Sequence, residues 1–346
     1  MRKYSVLSLL LVFILLLGVL AGSAAAASPY QIRRTVEIMA AYNPGGSMDA
    51  YCRVFQPFIQ ENLRRLTGQQ DLNAVVVNMT GAAGRIAYTE IFRERDPHAP
   101  RFVLFGSTSH FWEIVTPSPT FFAAEYTFLG SVMRTDQYIM VRPDLGIENF
   151  DDLLAFSQRQ PILFGTSGVA ASEMLFAEFL RTMLADDHGV NLDIAYVHYS
   201  GVGEITGGFL ANDIEMTIGN TVNVTQYLAS NAAVPIGVIA RERSAEFPDV
   251  PTLIELGVPA DVVGTLVDVL GVSFRFVGSP VMDPALADVL REAIKESALN
   301  PELVAEANRR GLSINFVDWE QDLENSKIMG ATFERFADLL DSIVNQ

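Results

Sequence analysis

The chain has 346 residues, 49% of them hydrophobic and 19% charged, with 25 Gly, 16 Pro and a single Cys. That size and composition suit one large or two packed globular domains and exclude a disordered, collagenous or disulfide-stapled chain. The formal charge of −17, with only three lysines, argues against nucleic acid or anionic lipid as the main partner, since both need clustered Lys and Arg.

Residues 1–27 read as a secretory signal peptide. Arg2 and Lys3 form a basic head, residues 7–20 an apolar run, and Ala24 to Ala27 a small-residue cleavage stretch. The string Leu20-Ala21-Gly22-Ser23 nearly spells a lipoprotein processing site, but Ser23 stands where the lipid-bearing Cys is required. No later stretch has the ~20 uninterrupted apolar residues of a spanning helix. The expectation is a released, soluble protein in the periplasm, with no stable membrane anchor. Cys52, alone in the chain, cannot form an internal disulfide; lying in a helical pattern without a nearby His, it reads as a buried inert thiol.

Beyond residue 35, short apolar runs alternate with amphipathic helices, the pattern of an α/β protein with mostly parallel sheets. Strands are expected over 36–41, 74–78, 102–105, 138–141, 162–164, 194–199, 214–218, 236–240 and 272–277. Asp283-Pro284 opens a helix with Leu286, Val289, Leu290 and Ile294 on one face; Asn300-Pro301 opens the next, which Gly311 stops. Asp318 caps a last long helix running towards Leu340.

Four strand ends run into glycine and small hydroxyl residues and then a helix: Asn43-Pro44-Gly45-Gly46-Ser47-Met48-Asp49, Thr80-Gly81-Ala82-Ala83-Gly84, Gly165-Thr166-Ser167-Gly168 and Tyr199-Ser200-Gly201-Val202-Gly203. Each places backbone N–H groups and short hydroxyls at a helix N-terminus, where the partial positive charge attracts an anion. One such loop is ordinary capping; four on strand carboxyl ends, where open α/β sheets bind ligands, point to a binding site. Phosphate and dinucleotide motifs are missing: no P-loop occurs, and Gly201-Val202-Gly203-Glu204-Ile205-Thr206-Gly207 misplaces the third glycine and puts Glu204 in the turn. The four histidines, His98, His110, His188 and His198, lack zinc-ligand spacing. No nucleophile elbow is present, although Ser107, Ser109, Ser167 and Ser172 could meet His110 or His198 in space. No metal and no cofactor are expected.

The first loop, with Arg53, resembles the periplasmic solute-binding proteins of tripartite tricarboxylate transporters, the Bug or TctC family. Matches to the family pattern follow in order. Val76-Val77-Asn78-Met79-Thr80-Gly81-Ala82-Ala83-Gly84 comes first, then 164–172 and Val197-His198-Tyr199-Ser200-Gly201, and last 247–257, which is similar to the family's P-D-V-P-T-x-x-E-x-G signature. The resemblance implies a non-enzymatic, two-domain, Venus-flytrap-like fold of type II, each domain a mostly parallel sheet flanked by helices. Domain 1 would comprise 28–137 and 241–346, domain 2 would comprise 138–240, and the ligand would sit in the cleft between them. It implies a small organic anion, a carboxylate, held by backbone amides and hydroxyls and delivered to large and small membrane subunits. Carried onto this chain, the contacts would be Tyr42, Gly45, Gly46, Ser47, Gly81, Ala82, Gly84, Ser107, Thr166, Ser167, Ser172, Tyr199 and Gly201. Asp49 and Arg53, at i, i+4 spacing, read as a structural ion pair beside the site. The sequence departs from the family at Ser200, which replaces the usual Lys, at 96–100, and at Arg85, which either grips a second carboxylate or points to solvent. A ligand-sensing subunit of a membrane kinase and a secreted α/β hydrolase are the competing functions.

Overall fold

The computed structural model describes residues 30–106, 109–167, 171–199, 202–270 and 272–344. The signal-like segment and the expected contacts Ser107 and Gly201 lie outside the described residues. Two five-stranded sheets are built from β1 (Thr35–Ala40), β2 (Asn73–Asn78), β3 (Arg101–Gly106), β4 (Thr127–Thr135), β5 (Gln137–Val141), β6 (Ile162–Thr166), β7 (Ile194–His198), β8 (Met216–Asn220), β9 (Val234–Ile239) and β10 (Val272–Gly278). Their orders are β2-β1-β3-β10-β4 and β7-β6-β8-β5-β9.

Each sheet is mixed. In the first, β1 pairs in parallel with β2 and β3, while β10 runs antiparallel to β3 and β4; in the second, β6 is parallel to β7 and β8, and β5 antiparallel to β8 and β9. The antiparallel pairs come from the strands that carry the chain between sheets. Asp136 alone separates β4 from β5, and β10 returns the chain to the first sheet. β4 gives no clear signal in the sequence because its pairing with β10 contains two irregularities and because Gly130 has φ 126°. An extra residue in a strand shifts the inside–outside alternation, so period-2 patterning breaks.

Both faces of both sheets are covered, as parallel strands require. On β1, Val36, Ile38 and Ala40 face a core containing Phe102, Leu104 and Phe276, while Met39 faces Val103, Phe105 and Val277 on the other side. Helix α1 (Ser47–Thr67) closes the first core with Met48, Tyr51, Cys52, Phe55, Ile59 and Leu63, spaced to fall on one face, and ends at Gly68, φ 74°. Cys52 is fully buried and unpaired, and burial pushes its thiol pKa up, which suppresses the reactive thiolate. Helices α2 (Arg85–Phe92) and α3 (Ser109–Val115) follow β2 and β3. The second sheet is flanked by α4 (Phe150–Ser157), α5 (Ser172–His188), α6 (Val202–Ala211) and α7 (Thr221–Ser230). Leu175, Phe176, Phe179 and Leu180 of α5 pack on one face, and Ile205, Phe209, Val224 and Tyr227 on the other.

Helix α8 (Ala260–Leu270) adds Val262, Val263 and Leu266 to the second-sheet core. Helix α9 (Pro284–Ala298) buries Leu286, Val289, Leu290 and Ile294 in the first core, and α10 (Pro301–Arg309) follows; Asp283 and Asn300 cap them through Ala285 N–H and Glu302 N–H. The long helix expected after Asp318 is two helices, α11 (Trp319–Arg335) and α12 (Ala337–Val344). The break falls at Phe336, whose ring packs 4.5 Å from that of Phe179. Helix α11 lies against β4 at one end and α8 at the other, so it spans the two sheets.

The joint between the sheets has a polar part. Arg134 donates to the Val267 carbonyl at 2.9 Å, Asp136 shares a hydrogen bond with Ser244, and buried Arg275 on β10 lies 3.4 Å from buried Asp322 on α11. Nearby, His110 is 2% exposed and shares a 2.8 Å hydrogen bond with Ser326. Burial, with Arg275 adding to it, lowers its pKa from 6.5 to about 3. The folded state therefore refuses a proton that the unfolded chain accepts. Stability from this group is complete above pH 6.5 and falls as pH drops towards 3, by about 1.4 kcal/mol per pH unit. Urea titrations at pH 7.5, 6 and 4.5 should show His110→Gln losing stability less steeply with acid than the wild type; parallel pH profiles would contradict the account.

Candidate functional site

In the first sheet the loops after β1 and β2 emerge side by side, because Ala40 pairs with Asn78 in the parallel register. Gly45 has φ 85°, a left-handed conformation that favours glycine, and Gly46, at φ −75° and ψ 168°, is the N-cap of α1 with no side-chain cap. Tyr42 to Ser47 are exposed.

The loop is fixed from behind by Asp49. Its carboxylate is 2% exposed and accepts from the Gly45 N–H at 2.9 Å, Arg53 Nε at 2.9 Å and Asn78 Nδ2 at 2.8 Å. Asn78 also donates to the Tyr42 carbonyl at 3.0 Å and accepts from Arg53 Nη2 at 3.0 Å. Burial pushes the Asp49 pKa up, but the Arg53 guanidinium, the Gly45 N–H and the Asn78 amide outweigh it and hold the carboxyl below its ordinary value. A charged carboxylate with donors on both oxygens is thus the anchor of the loop.

The second loop carries three successive backbone specials: Gly81 at φ 123°, Ala82 at φ 49° and Gly84 at φ 88°. A Cβ at Gly84 would lie 2.8 Å from the Tyr88 ring, so glycine is needed both for the dihedral and for the space. Tyr88 is buried and shares hydrogen bonds with the Tyr42 side chain and the Gly106 backbone, tying the ends of β1 and β3 to the start of α2. Arg85 takes neither of its two expected positions in full. Its Nε donates to the Ala82 carbonyl at 3.1 Å, and its guanidinium stacks 4.7 Å from the Trp112 ring. A cavity of about 420 Å³ opens beside Ala82, lined by Arg85, Ile86, Trp112, Glu113 and Phe121 among others.

In the second sheet Thr166 pairs with His198, and the Tyr199 N–H donates to the Thr166 carbonyl at 2.8 Å, so these two loops are also neighbours. Thr166, Ser167 and Ser172 converge on one group, the Glu173 carboxylate in the first turn of α5. It accepts from the Ser167 N–H and hydroxyl at 2.5 Å each, from Ser172 Oγ at 3.3 Å and from Thr166 Oγ1 at 3.5 Å. Thr166 is fully buried, whereas Ser167 and Ser172 are half-buried. The Tyr199 ring lies against α6, where a Cβ at Gly208 would come 2.2 Å from its hydroxyl.

Thus Tyr42, Gly45, Gly46, Ser47, Gly81, Ala82 and Gly84 gather in the first sheet, and Thr166, Ser167, Ser172 and Tyr199 in the second. Sequence reasoning passed over Asn78, Tyr88 and Glu173 as site-building residues. Asn78 was legible as the last polar residue of a strand before a glycine loop, and Tyr88 as the residue one turn past Gly84. Among the described residues the serine and histidine sets bond elsewhere: Ser109 donates to the Gly106 carbonyl, Ser167 and Ser172 to Glu173, His110 bonds Ser326, and His98 bonds Tyr30. No cluster of three metal-ligating side chains occurs among the described residues, and no described helix is long and apolar enough to cross a membrane.

The model of the tripartite tricarboxylate transporter family receptor, TctC, matches residues 56–340. The chain belongs to this family of periplasmic solute-binding proteins and is a binding protein, not an enzyme. It is similar to protein BugT of Bordetella pertussis, 25% identical over 316 residues that cover 89% of this chain and 88% of BugT. Its fold matches a TctC solute-binding protein from Polaromonas at a TM-score of 0.70 and 18% identity, covering 90% of this chain and 98% of that one. It also matches an R. palustris protein solved with adipate, at 0.64 and 20%, covering 89% and 97%.

Removing the Asp49 carboxylate leaves three donors without an acceptor. Asp49→Ala should cost about 1–3 kcal/mol of unfolding free energy. Combined with Asn78→Ala, it should be non-additive by about 0.5 kcal/mol or more in denaturant titrations, because the two residues share one network. Additive losses would mean that they act separately.

Proposed function

We propose that the protein captures a small organic carboxylate between its two sheets and delivers it to the large and small membrane subunits of a tripartite tricarboxylate-type transporter. The observation that carries this reading is the first loop. The first turn of a 21-residue helix, with the exposed Ser47 at its start and no side-chain cap, is held rigid by Asp49, Arg53 and Asn78. Donors already in place cost little reorganisation when an anion arrives. The Gly81–Gly84 loop adds a second set beside it, and Ser107, Thr166, Ser167, Ser172, Tyr199 and Gly201 would complete the site from the remaining strand ends. Family membership supports the carboxylate class, as does adipate in a protein of the same fold.

In this reading the lobes are those expected, 28–137 with 241–346, and 138–240, except that α8 and α12 go with the second, where Val262, Val263, Leu266 and Leu340 pack in the second-sheet core; closure turns on Asp136 and the returning segment before β10. Residues 1–27 direct export and are removed, and Ser23 in place of a lipidated Cys leaves the product unanchored. The overall charge of −17 does not oppose anion binding, because distant charges are screened beyond ~8 Å at physiological ionic strength.

A thermal-shift panel of mono-, di- and tricarboxylates, aromatic acids and acidic amino acids tests the class. A ligand at ~100 times its Kd should add ~2.7 kcal/mol of stability, visible as a raised midpoint. Gly46→Asp tests the placement. Gly46 has an ordinary N-cap conformation in which Asp is favoured, so the variant should fold, yet its carboxylate would occupy the donors and repel the ligand. Loss of the ligand-induced shift in a folded variant is expected; an unchanged shift would move the ligand away from this loop.

A further inference from the structure

The second-sheet hydroxyls are occupied by the protein's own carboxylate. Glu173 takes the Ser167 N–H and hydroxyl and draws the hydroxyls of Ser172 and Thr166 towards it. A second carboxylate on the ligand would therefore find these donors already used and a like charge at their centre. The wider charge distribution has the same sign. Between residues 160 and 240 there are eight Asp and Glu side chains and one basic residue, Arg181, which is itself paired with Glu178. Glu204 opens α6 on the adjoining loop. The first-sheet loops carry the guanidiniums instead: Arg53 beside the Asn43–Ser47 turn, its side chain 48% exposed, and Arg85 after Gly84. The two sets of loops thus differ: on the first sheet Arg53 offsets Asp49 and Arg85 adds a cation, whereas Glu173 stands without a cationic partner among the second-sheet hydroxyls.

We infer that Glu173 sets the substrate class: a molecule with one carboxylate, whose opposite end carries hydrogen-bond donors, an ammonium or a carboxamide, and not a dicarboxylate. The inference rests on the carboxylate reading of the preceding subsection and deepens it. The carboxylate end docks on the Gly46 loop, and the donor end meets the Glu173 oxygens, with the Ser167 hydroxyl orienting that carboxylate. Glu173 also ties its own loop together. Glu173→Gln separates the two roles, since the amide oxygen still accepts from Ser167 while the charge is gone.

Titration calorimetry with the exported protein should use matched sets of equal length: succinate, succinamate and 4-aminobutanoate; adipate, adipamate and 6-aminohexanoate; terephthalate, its monoamide and 4-(aminomethyl)benzoate. In the wild type, the amide or amino member of the binding set should be favoured over its dicarboxylate by at least about tenfold. Glu173→Gln should reduce that ratio to about threefold or less, chiefly by improving dicarboxylate binding. A wild-type protein that binds the dicarboxylate equally well or better overturns the inference and leaves the carboxylate reading standing. A preference that survives unchanged in folded Glu173→Gln also overturns it. Failure of every acid in the sets and in the wider carboxylate panel overturns the carboxylate reading, and this inference with it.

Discussion

A buried carboxylate held by three donors is the constraint on which the first half of the site depends. Asp49 lies buried in the first turn of α1, where removal from water is costly unless donors replace the hydration. The Gly45 N–H, Arg53 and Asn78 replace it. Satisfying the charge fixes three pieces of chain at once: the turn after β1, the first two turns of α1 and the last residue of β2. Because Asn78 also holds the Tyr42 carbonyl, the exposed strip from Tyr42 to Ser47 has little freedom left. The Gly45 and Gly46 N–H groups are spent inside the loop, on Asp49 and on the Asn43 carbonyl, so an incoming anion meets the first turn of α1 and the Ser47 hydroxyl on a rigid support.

Tyr88 extends the same logic to the neighbouring loop. Its hydroxyl bonds both Tyr42 and the Gly106 backbone, and its ring fills the space above Gly84 that any side chain there would claim. The consequence is that the ends of β1, β2 and β3 behave as one unit. The sheets themselves are joined differently, through a single residue between β4 and β5 and through polar contacts of Arg134, Asp136, Arg275 and Asp322. The joint also has an apolar part, since Phe111 of α3, the helix after β3, packs in the core of the second sheet.

Much of this was legible in the residues. Strands with two buried faces announce themselves as short apolar runs, and nine of the ten were visible for that reason; the caps at Asp283, Asn300 and Asp318 follow from their side-chain chemistry. β4 was not, since its irregular pairing and Gly130 break the alternation that marks a strand. The break at Phe336 was hidden because neither Gly nor Pro marks it; its ring packs on Phe179 of a distant helix, a contact that no local pattern encodes. At the site, the glycine and hydroxyl loops stood out, and so did the Asp49–Arg53 pair that anchors the first of them, by its i, i+4 spacing; the other anchors were passed over. Asn78 and Tyr88 act through contacts made only after folding. Glu173 had no special mark among 41 acidic residues, and only its position among Ser167, Ser172 and Thr166 gives it meaning.

The claim that backbone amides at strand carboxyl ends grip the ligand is tested most directly by amide hydrogen exchange, with and without the acid that stabilises the protein most. The account predicts that slowed exchange concentrates in residues 43–50 and 80–86 of the first sheet and 165–174 of the second. Protection confined to 112–121, around the cavity lined by Trp112 and Phe121, with the Gly46 loop unchanged, would contradict it.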